Sequence, residues 1–341
     1  MSTKDTLEVG LTAETLYNQS IESDVFGELD VTFRTADVET TDDVVEAFAG
    51  VDAVIDRLNS VPYPRDVIDR LAAEGCRVLA RCGIGVDMID HEWAAERGMS
   101  VVNVPEYCQE EVADHAILLI LALQRDLAVY NGALHAGQWD RRLATASIER
   151  TSTQVLGLVG FGSIARRVAE RANAFGMDVI ATDPEVDVET MSEFNVGERE
   201  HTTLLETADV ISVHVPLIDQ TRGMFDRDAF DRMKDSAYLV NVSRGGIVDE
   251  RALAVAIEED IVGGAALDVH VEEPADRLGA GGTASFESPL RSSDNVLLTP
   301  HVAWFSAAAE ETKRRRAAED VRRVLTGSEP ENPVNDPTQN I

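Results

Sequence analysis

The stretch Gln154-Val155-Leu156-Gly157-Leu158-Val159-Gly160-Phe161-Gly162-Ser163-Ile164-Ala165 decides the fold. Its apolar run Val155 to Val159 reads as a buried strand, the glycines as a tight turn, and Ile164 to about Phe175 as the helix that follows. Glycine at the first two positions of the G-x-G-x-x-A pattern lets the backbone approach a pyrophosphate, and the helix N-terminus stabilises that anion. Such a turn can also do no more than join a strand to a helix. What separates the two readings is the next strand, Met177 to Asp183, which ends in an acid 21 residues after Gly162. That is close to the ~20-residue interval at which a carboxylate meets a ribose diol. The pair predicts a dinucleotide site, and Asp183 would repel a 2′-phosphate, favouring NAD over NADP.

Outward from this unit the same rhythm continues. Strands are expected at Val210 to Val215, Tyr238 to Val242, Gly264 to Val269 and Val296 to Thr299, which is the pattern of a doubly wound parallel sheet. Upstream, Val51 to Ile55 and Arg77 to Arg81 read as strands and Arg65 to Glu74 as a helix. Apolar residues at Val112, Ala116, Leu119, Leu123 and Leu127 predict one long crossing helix over Glu110 to Tyr130. A charged helix, Ala307 to Leu325, closes the pattern, and Gly279 to Thr283 reads as a surface loop. The fold class is α/β, in two parallel-sheet domains, as 341 residues suggest.

Composition narrows the partners. Against 62 acidic residues stand 30 basic ones, a net charge of −32 spread along the chain. Such a surface repels phosphate backbones and anionic lipid, so neither nucleic acid nor membrane is an expected partner. The basic residues are nearly all arginine, lysine occurring only at positions 4, 234 and 313. This balance is of the halophilic type, in which high ionic strength screens self-repulsion. No apolar run approaches the ~20 residues of a spanning helix, and Met1 to Gly10 lacks the apolar core of a secretory signal. The three cysteines, Cys76, Cys82 and Cys108, have neither disulfide nor zinc-ligand spacing. A cytoplasmic location and no metal are expected.

Three polar residues lie just past expected strand ends of the second sheet, where such folds bind ligands. Arg244 follows Asn241-Val242-Ser243, Glu273 stands in Val271-Glu272-Glu273-Pro274, and His301 in Thr299-Pro300-His301. Each alone has an ordinary structural reading. Together they offer a planar cation for a carboxylate and an imidazole whose proton a neighbouring carboxylate keeps available.

In this order after the glycine turn, these segments resemble the D-isomer-specific 2-hydroxyacid dehydrogenase family, a likeness running from about Val51 to Leu325. The resemblance implies Rossmann-like and flavodoxin-like domains, with an NAD-binding domain over 106–304 inserted into a substrate-binding domain of 1–105 and 305–341. It implies hydride exchange between NAD(H) and a small D-2-hydroxy or 2-keto acid in the cleft between them. Arg244, Glu273 and His301 would form the catalytic set. The cofactor would meet Gly160, Phe161, Gly162, Ser163, Ile164, Asp183, Val215, Pro216, Thr221, Asn241, Val242, Ser243, Asp268 and His301, with Asp268 on the nicotinamide carboxamide. The substrate would meet Arg81, Gly83, Ile84 and Gly85, whose amides hold its carboxylate, besides Arg244 and Trp304. Gly264 to His270 and His301 to Ser306 are most similar to the C-terminal-binding-protein branch, where a tryptophan three residues after the histidine borders the substrate. Phosphoglycerate dehydrogenase, which usually carries Leu-Gly-Ala after that histidine, and an NAD-sensing corepressor-like scaffold are the alternatives. Glu273 argues against the formate dehydrogenases, which carry glutamine there. The family implies a homodimer, with Tyr130 to Arg142 and its Trp139 as the expected arm.

The charge excess generates a direct test. The melting temperature is expected to rise by about ten degrees or more between low and molar potassium chloride, as the self-repulsion of a net −32 chain is screened. An unchanged melting temperature would show that the acidic surface does not limit folding.

Overall fold

The computed structural model describes residues 6–12, 18–58, 61–143, 148–273 and 285–337. They form two units, one drawn from residues 6–107, 285 and 306–337, the other from residues 108–273 and 286–305. The expected surface loop at Gly279 to Thr283 lies outside the described residues.

In the first unit five parallel strands, β1 (Leu7–Thr12), β2 (Val31–Ala36), β3 (Ala53–Asp56), β4 (Val78–Arg81) and β5 (Ser100–Val102), line up as β2-β1-β3-β4-β5. This is the flavodoxin-like order. The strands β3 and β4 are buried on both faces, as parallel strands covered by helices must be. The sequence reading identified β3 and β4 to within two residues but not β1, β2 or β5; β1 and β2 carry Glu8, Gly10, Thr32 and Arg34 among their apolar residues, and β5 is only three residues long.

The helix Ala307–Leu325 lies on this sheet beside the helix Ser20–Phe26. Its inner face is small and apolar, with Ala317, Ala318 and Val321 buried against Ile55, Val78 and Val102. Charge also enters this core. Glu22 is fully buried and takes Arg314 at 2.6 Å and Arg57 at 3.4 Å. A buried ion pair seldom adds net stability, but removal of one member leaves the others uncompensated in a low dielectric. Burial lowers the Arg57 pKa from its ordinary value, with the Glu22 carboxylate opposing that shift. Burial also pushes the Cys76 and Cys82 thiols up to about 12, so both stay protonated and unreactive. None of the three cysteines is in a disulfide.

The second unit carries seven parallel strands in the order β12-β11-β10-β9-β6-β7-β8. These are β6 (Val155–Val159), β7 (Asp178–Thr182), β8 (Gly197–Glu198), β9 (Val210–Val213), β10 (Tyr238–Asn241), β11 (Gly264–Leu267) and β12 (Val296–Leu298). The direction of winding reverses between β6 and β9, so the loops after these two strands part and leave a crevice at their carboxyl ends.

The expected crossing helix over Glu110 to Tyr130 is two helices, Gln109–Gln124 and Leu127–His135, separated by Asp126 in a left-handed conformation at φ 47°. The break changes the apolar stripe. Val112, Ala116, Leu119 and Leu123 are buried as expected, whereas Leu127 begins a new axis and is 56% exposed. The first of these helices packs against the helix Ser163–Ala174, with Arg171 held between Glu110 and Asp114 at 2.6 Å each. The helix Leu127–His135 buries none of its residues.

The charged core of the first unit predicts the effect of removing its acid. Glu22→Ala should lower the unfolding free energy by about 3–5 kcal/mol, measured by urea titration in high salt. A loss below about 1 kcal/mol would mean that water reaches Arg57 and Arg314.

Candidate active site

The crevice of the second unit begins at Gly160, which sits at φ 92°, a conformation that side chains resist. A Cβ there would also lie 2.7 Å from the His214 carbonyl oxygen, so the loops after β6 and β9 can meet only at a glycine. The helix Ser163–Ala174 opens at Gly162 with no side-chain cap, which leaves its first-turn amides facing an incoming anion. Asp183, at the end of β7, accepts from Phe161 N at 2.7 Å and from Glu185 N at 2.9 Å. Its carboxylate is thereby fixed, and two bonded amides leave lone pairs over for a diol. This turn, uncapped helix and anchored acid fit a dinucleotide. Phe161 departs from the expectation. Its ring is fully buried against Phe194 and its amide is taken by Asp183, so it shapes the turn rather than meeting a ligand.

After β9, Val215 and Pro216 form the expected wall, held by Thr221, whose hydroxyl donates to Pro216 O at 2.5 Å and accepts from Ile218 N at 2.9 Å. Burial pushes His214 down to about 4, so its ring is neutral, with Nε2 2.8 Å from the Ser212 hydroxyl.

Past β10 the chain turns sharply at Ser243-Arg244-Gly245. Asn241 ties this turn from within: its amide donates to Arg244 O at 2.9 Å, and its Oδ1 accepts from Ser243 N and the Ser243 hydroxyl. Asn241 is wholly buried, and its side chain serves this turn. Val242 is buried too, leaving Ser243 and Arg244 part-exposed. A Cβ on Gly245 would fall 2.1 Å from the His270 carbonyl carbon, so only glycine lets the arginine turn dock on the end of β11.

That strand end carries the acid. Glu273 Oε1 accepts from the His270 amide at 3.2 Å, and its two oxygens stand 3.1 and 2.9 Å from His301 Nδ1. A carboxylate only accepts when ionised, so Nδ1 carries hydrogen and Nε2 is the nitrogen left for proton transfer. His301 itself is left-handed, at φ 54°. Its amide donates to Asp268 O at 2.7 Å.

Asp268 is fully buried. Its Oδ1 accepts from the Thr299 hydroxyl at 2.6 Å and Val302 N at 2.9 Å, and its Oδ2 from Ala303 N at 2.9 Å. The observed role of this side chain is therefore to shape the His301 loop; it was expected on a nicotinamide carboxamide. Trp304 is part-exposed and stacks edge-on with Phe305, ring centroids 5.4 Å apart. His115, Glu250, His270 and Thr299 belong to the same constellation and were not singled out in sequence. His115 is one of several polar residues on its helix, beside Asp114, and no short motif connects it to a turn 184 residues away.

In the first unit the loop after β4 is held by Val104 N on Gly83 O and Asn103 Nδ2 on Ile84 O. The Gly83 amide bonds internally to Arg81 O at 2.9 Å, whereas among the described residues Ile84 and Gly85 keep their amides without an internal acceptor. Arg81 also differs from the expectation. Its guanidinium is buried beneath Gly83, with Nη1 donating to Cys82 O at 3.2 Å, and it supports the loop from below.

Comparison with known proteins decides the family. Residues 117–303 match the family model described as "D-isomer specific 2-hydroxyacid dehydrogenase, NAD binding domain". The chain belongs to the D-isomer specific 2-hydroxyacid dehydrogenase family. It is 36% identical over 299 residues to D-3-phosphoglycerate dehydrogenase of Methanocaldococcus jannaschii, covering 87% of this chain and 54% of that one. The chain thus spans about half the length of that relative. It is 35% identical over 285 residues to hydroxypyruvate reductase of Thermotoga maritima, covering 83% of this chain and 87% of the reductase. Among solved structures, the TT0316 protein of Thermus thermophilus superposes with a TM-score of 0.83 at 30% identity, over 96% of this chain and all of that one.

The closeness of Gly160 to the loop after β9 gives a test of the crevice. Gly160→Ala should weaken NADH binding, followed by fluorescence titration, by on the order of tenfold or more while the protein stays folded. Unaltered affinity would mean that this turn does not receive the pyrophosphate.

Proposed function

We propose that this protein is an NAD-dependent oxidoreductase that interconverts a small D-2-hydroxy acid and its 2-keto acid. The observation that carries the reading is the Glu273–His301 pair at the carboxyl ends of β11 and β12, beside the docked Arg244 turn. When bound, the nicotinamide supplies or takes up a hydride at the substrate carbon; Gly162, Ser163 and Ile164 would hold its pyrophosphate and Asp183 its ribose.

The chain's own residues supply the rest. His301 Nε2 gives a proton to the keto oxygen in reduction and removes it from the hydroxyl in oxidation. Glu273 fixes the ring in the tautomer that makes this possible and stabilises the imidazolium formed in oxidation. Arg244 pairs with the substrate carboxylate through a rigid fork of donors and draws charge onto the carbonyl oxygen. In the first unit, the open amides of Ile84 and Gly85, with Gly83 at the head of the loop, are our proposed carboxylate-binding groups, and in the second unit Trp304 is the proposed border of the substrate side chain.

An unphosphorylated substrate is favoured. The buried cations of the first unit, Arg57, Arg81, Lys313 and Arg314, are engaged with Glu22, Asp56 and Glu310. The chain also matches a hydroxypyruvate reductase over most of that enzyme's length. Further parts of the proposal are a cytoplasmic, halophilic enzyme of the C-terminal-binding-protein-like branch and a homodimer. Trp139, 90% exposed, together with Leu127 and Leu134 supports an arm built from Tyr130 to Arg142. Among the described residues no helix is long and apolar enough to cross a membrane.

Oxidation of NADH in molar potassium chloride with pyruvate, glyoxylate, hydroxypyruvate, 2-ketoisocaproate and 3-phosphohydroxypyruvate is the test. Turnover is expected on an unphosphorylated member, and His301→Ala should lower it by on the order of 10²–10⁴-fold with NADH binding kept. Silence across the panel with NADH bound would favour a scaffold role, and near-full turnover of the His301 variant would remove it from proton transfer.

A further inference from the structure

Thr299 is the residue from which the Thr299-Pro300-His301 turn departs, and each of its polar atoms is engaged. Its amide donates to Leu267 O at 3.0 Å and its hydroxyl to Asp268 Oδ1 at 2.6 Å. The single hydroxyl proton being so directed, the oxygen can only accept from His115 Nε2, 3.1 Å away on the helix Gln109–Gln124. On the other side the Thr299 carbonyl, an acceptor only, stands 3.0 Å from His270 Nε2 and 3.1 Å from the His301 amide. Both imidazoles therefore carry hydrogen on Nε2. The remaining face of the His270 ring packs on Phe286, and its Nδ1 lies 3.8 Å from Glu250 Oε1. Glu250 in turn accepts from Val271 N and the Ser288 hydroxyl at 2.8 Å each.

We propose that His115 and His270 clamp Thr299 from opposite sides and are positioning residues for His301. The need for a clamp follows from the backbone. His301 is a side-chain-bearing residue at φ 54°, directly after a proline that has no amide to contribute. Such a conformation persists only where its surroundings over-determine it. The carbonyl on which the His301 amide folds back is the one His270 holds, and the hydroxyl that His115 holds is the one that secures Asp268, whose own carbonyl takes the same amide. Relaxation of His301 toward the right-handed region would swing its ring off Glu273. Neither clamp residue touches a reacting atom; both act through Thr299.

This inference rests on the oxidoreductase reading, so its test has a readout independent of turnover. His270→Phe and His115→Leu remove the donors, whereas His270→Gln and His115→Gln return an amide N–H to the same reach. Loss of either donor should lower kcat for keto-acid reduction by on the order of tenfold, with KM within about twofold, since a small misplacement of a proton donor acts on the chemical step. The solvent deuterium isotope effect on kcat should rise, and the glutamine variants should recover most of the rate. The low-field proton resonance of His301 Nδ1–H, assigned by its disappearance in His301→Gln, should be lost or shifted in the donorless variants and kept in the glutamine ones. Parental rates and isotope effects in His270→Phe and His115→Leu, with the low-field resonance intact, would overturn the proposal. If the parent protein reduces no keto acid, the functional reading falls by itself. The resonance then decides the clamp, its persistence in both donorless variants counting against it. Should His270→Phe fail to fold, His115→Leu carries the test alone.

Discussion

The buried carboxylate of Asp268 is the interaction on which the site depends. A fully desolvated acid is tolerable only when its oxygens are surrounded by donors, and here the donors are the Thr299 hydroxyl and the amides of Val302 and Ala303. Satisfying one charge therefore dictates the path of five consecutive residues after β12. His301 lies in the middle of that path, and its left-handed backbone is a consequence of it. The geometry at His301 is in this sense a by-product of burying a charge correctly.

The same logic recurs at each strand end. Asn241 closes the turn that presents Arg244, Asp183 fixes the glycine turn through the Phe161 amide, and Arg81 underlies the loop at Gly83. In all three places a side chain expected at the ligand bonds or packs on the backbone of its own loop, and Asp183 alone keeps lone pairs over for a ligand. A polar side chain one layer beneath a loop holds it in place without exposing itself, and rigid loops are what a precise binding site requires. Glycine supplies the complement. At Gly160 and Gly245 it permits neighbouring loops to approach within distances that any Cβ would forbid.

Charge acts on a different scale. A net −32 raises the electrostatic self-energy of the compact state, yet the interior is built with ionised groups as well, Glu22 with Arg57 and Arg314 among them. The exposed pairs, such as Arg171 with Glu110 and Asp114, are weak individually and screened by salt. The buried cluster is insulated from that screening. Salt would thus act on the surface repulsion while leaving the charged core of the first unit as it is.

The glycine turn with its distant acid, and the apolar runs and period-3.6 stretches around it, were enough to read an α/β chain with a dinucleotide crevice. They were enough because local spacing determines local conformation. Arg244, Glu273 and His301 were legible for the same reason, each lying just past an apolar run. What the sequence could not yield was anything requiring contact across long separations. The break at Asp126, the polar-interrupted strands β1 and β2 and the short β5, the buried roles of Asp268, Asn241 and Arg81, and the partnership of His115 and His270 with Thr299 are all of this kind. A helix residue and a turn residue 184 positions apart share no pattern. Only packing brings them together, because only there does an unsatisfied hydrogen bond have a cost.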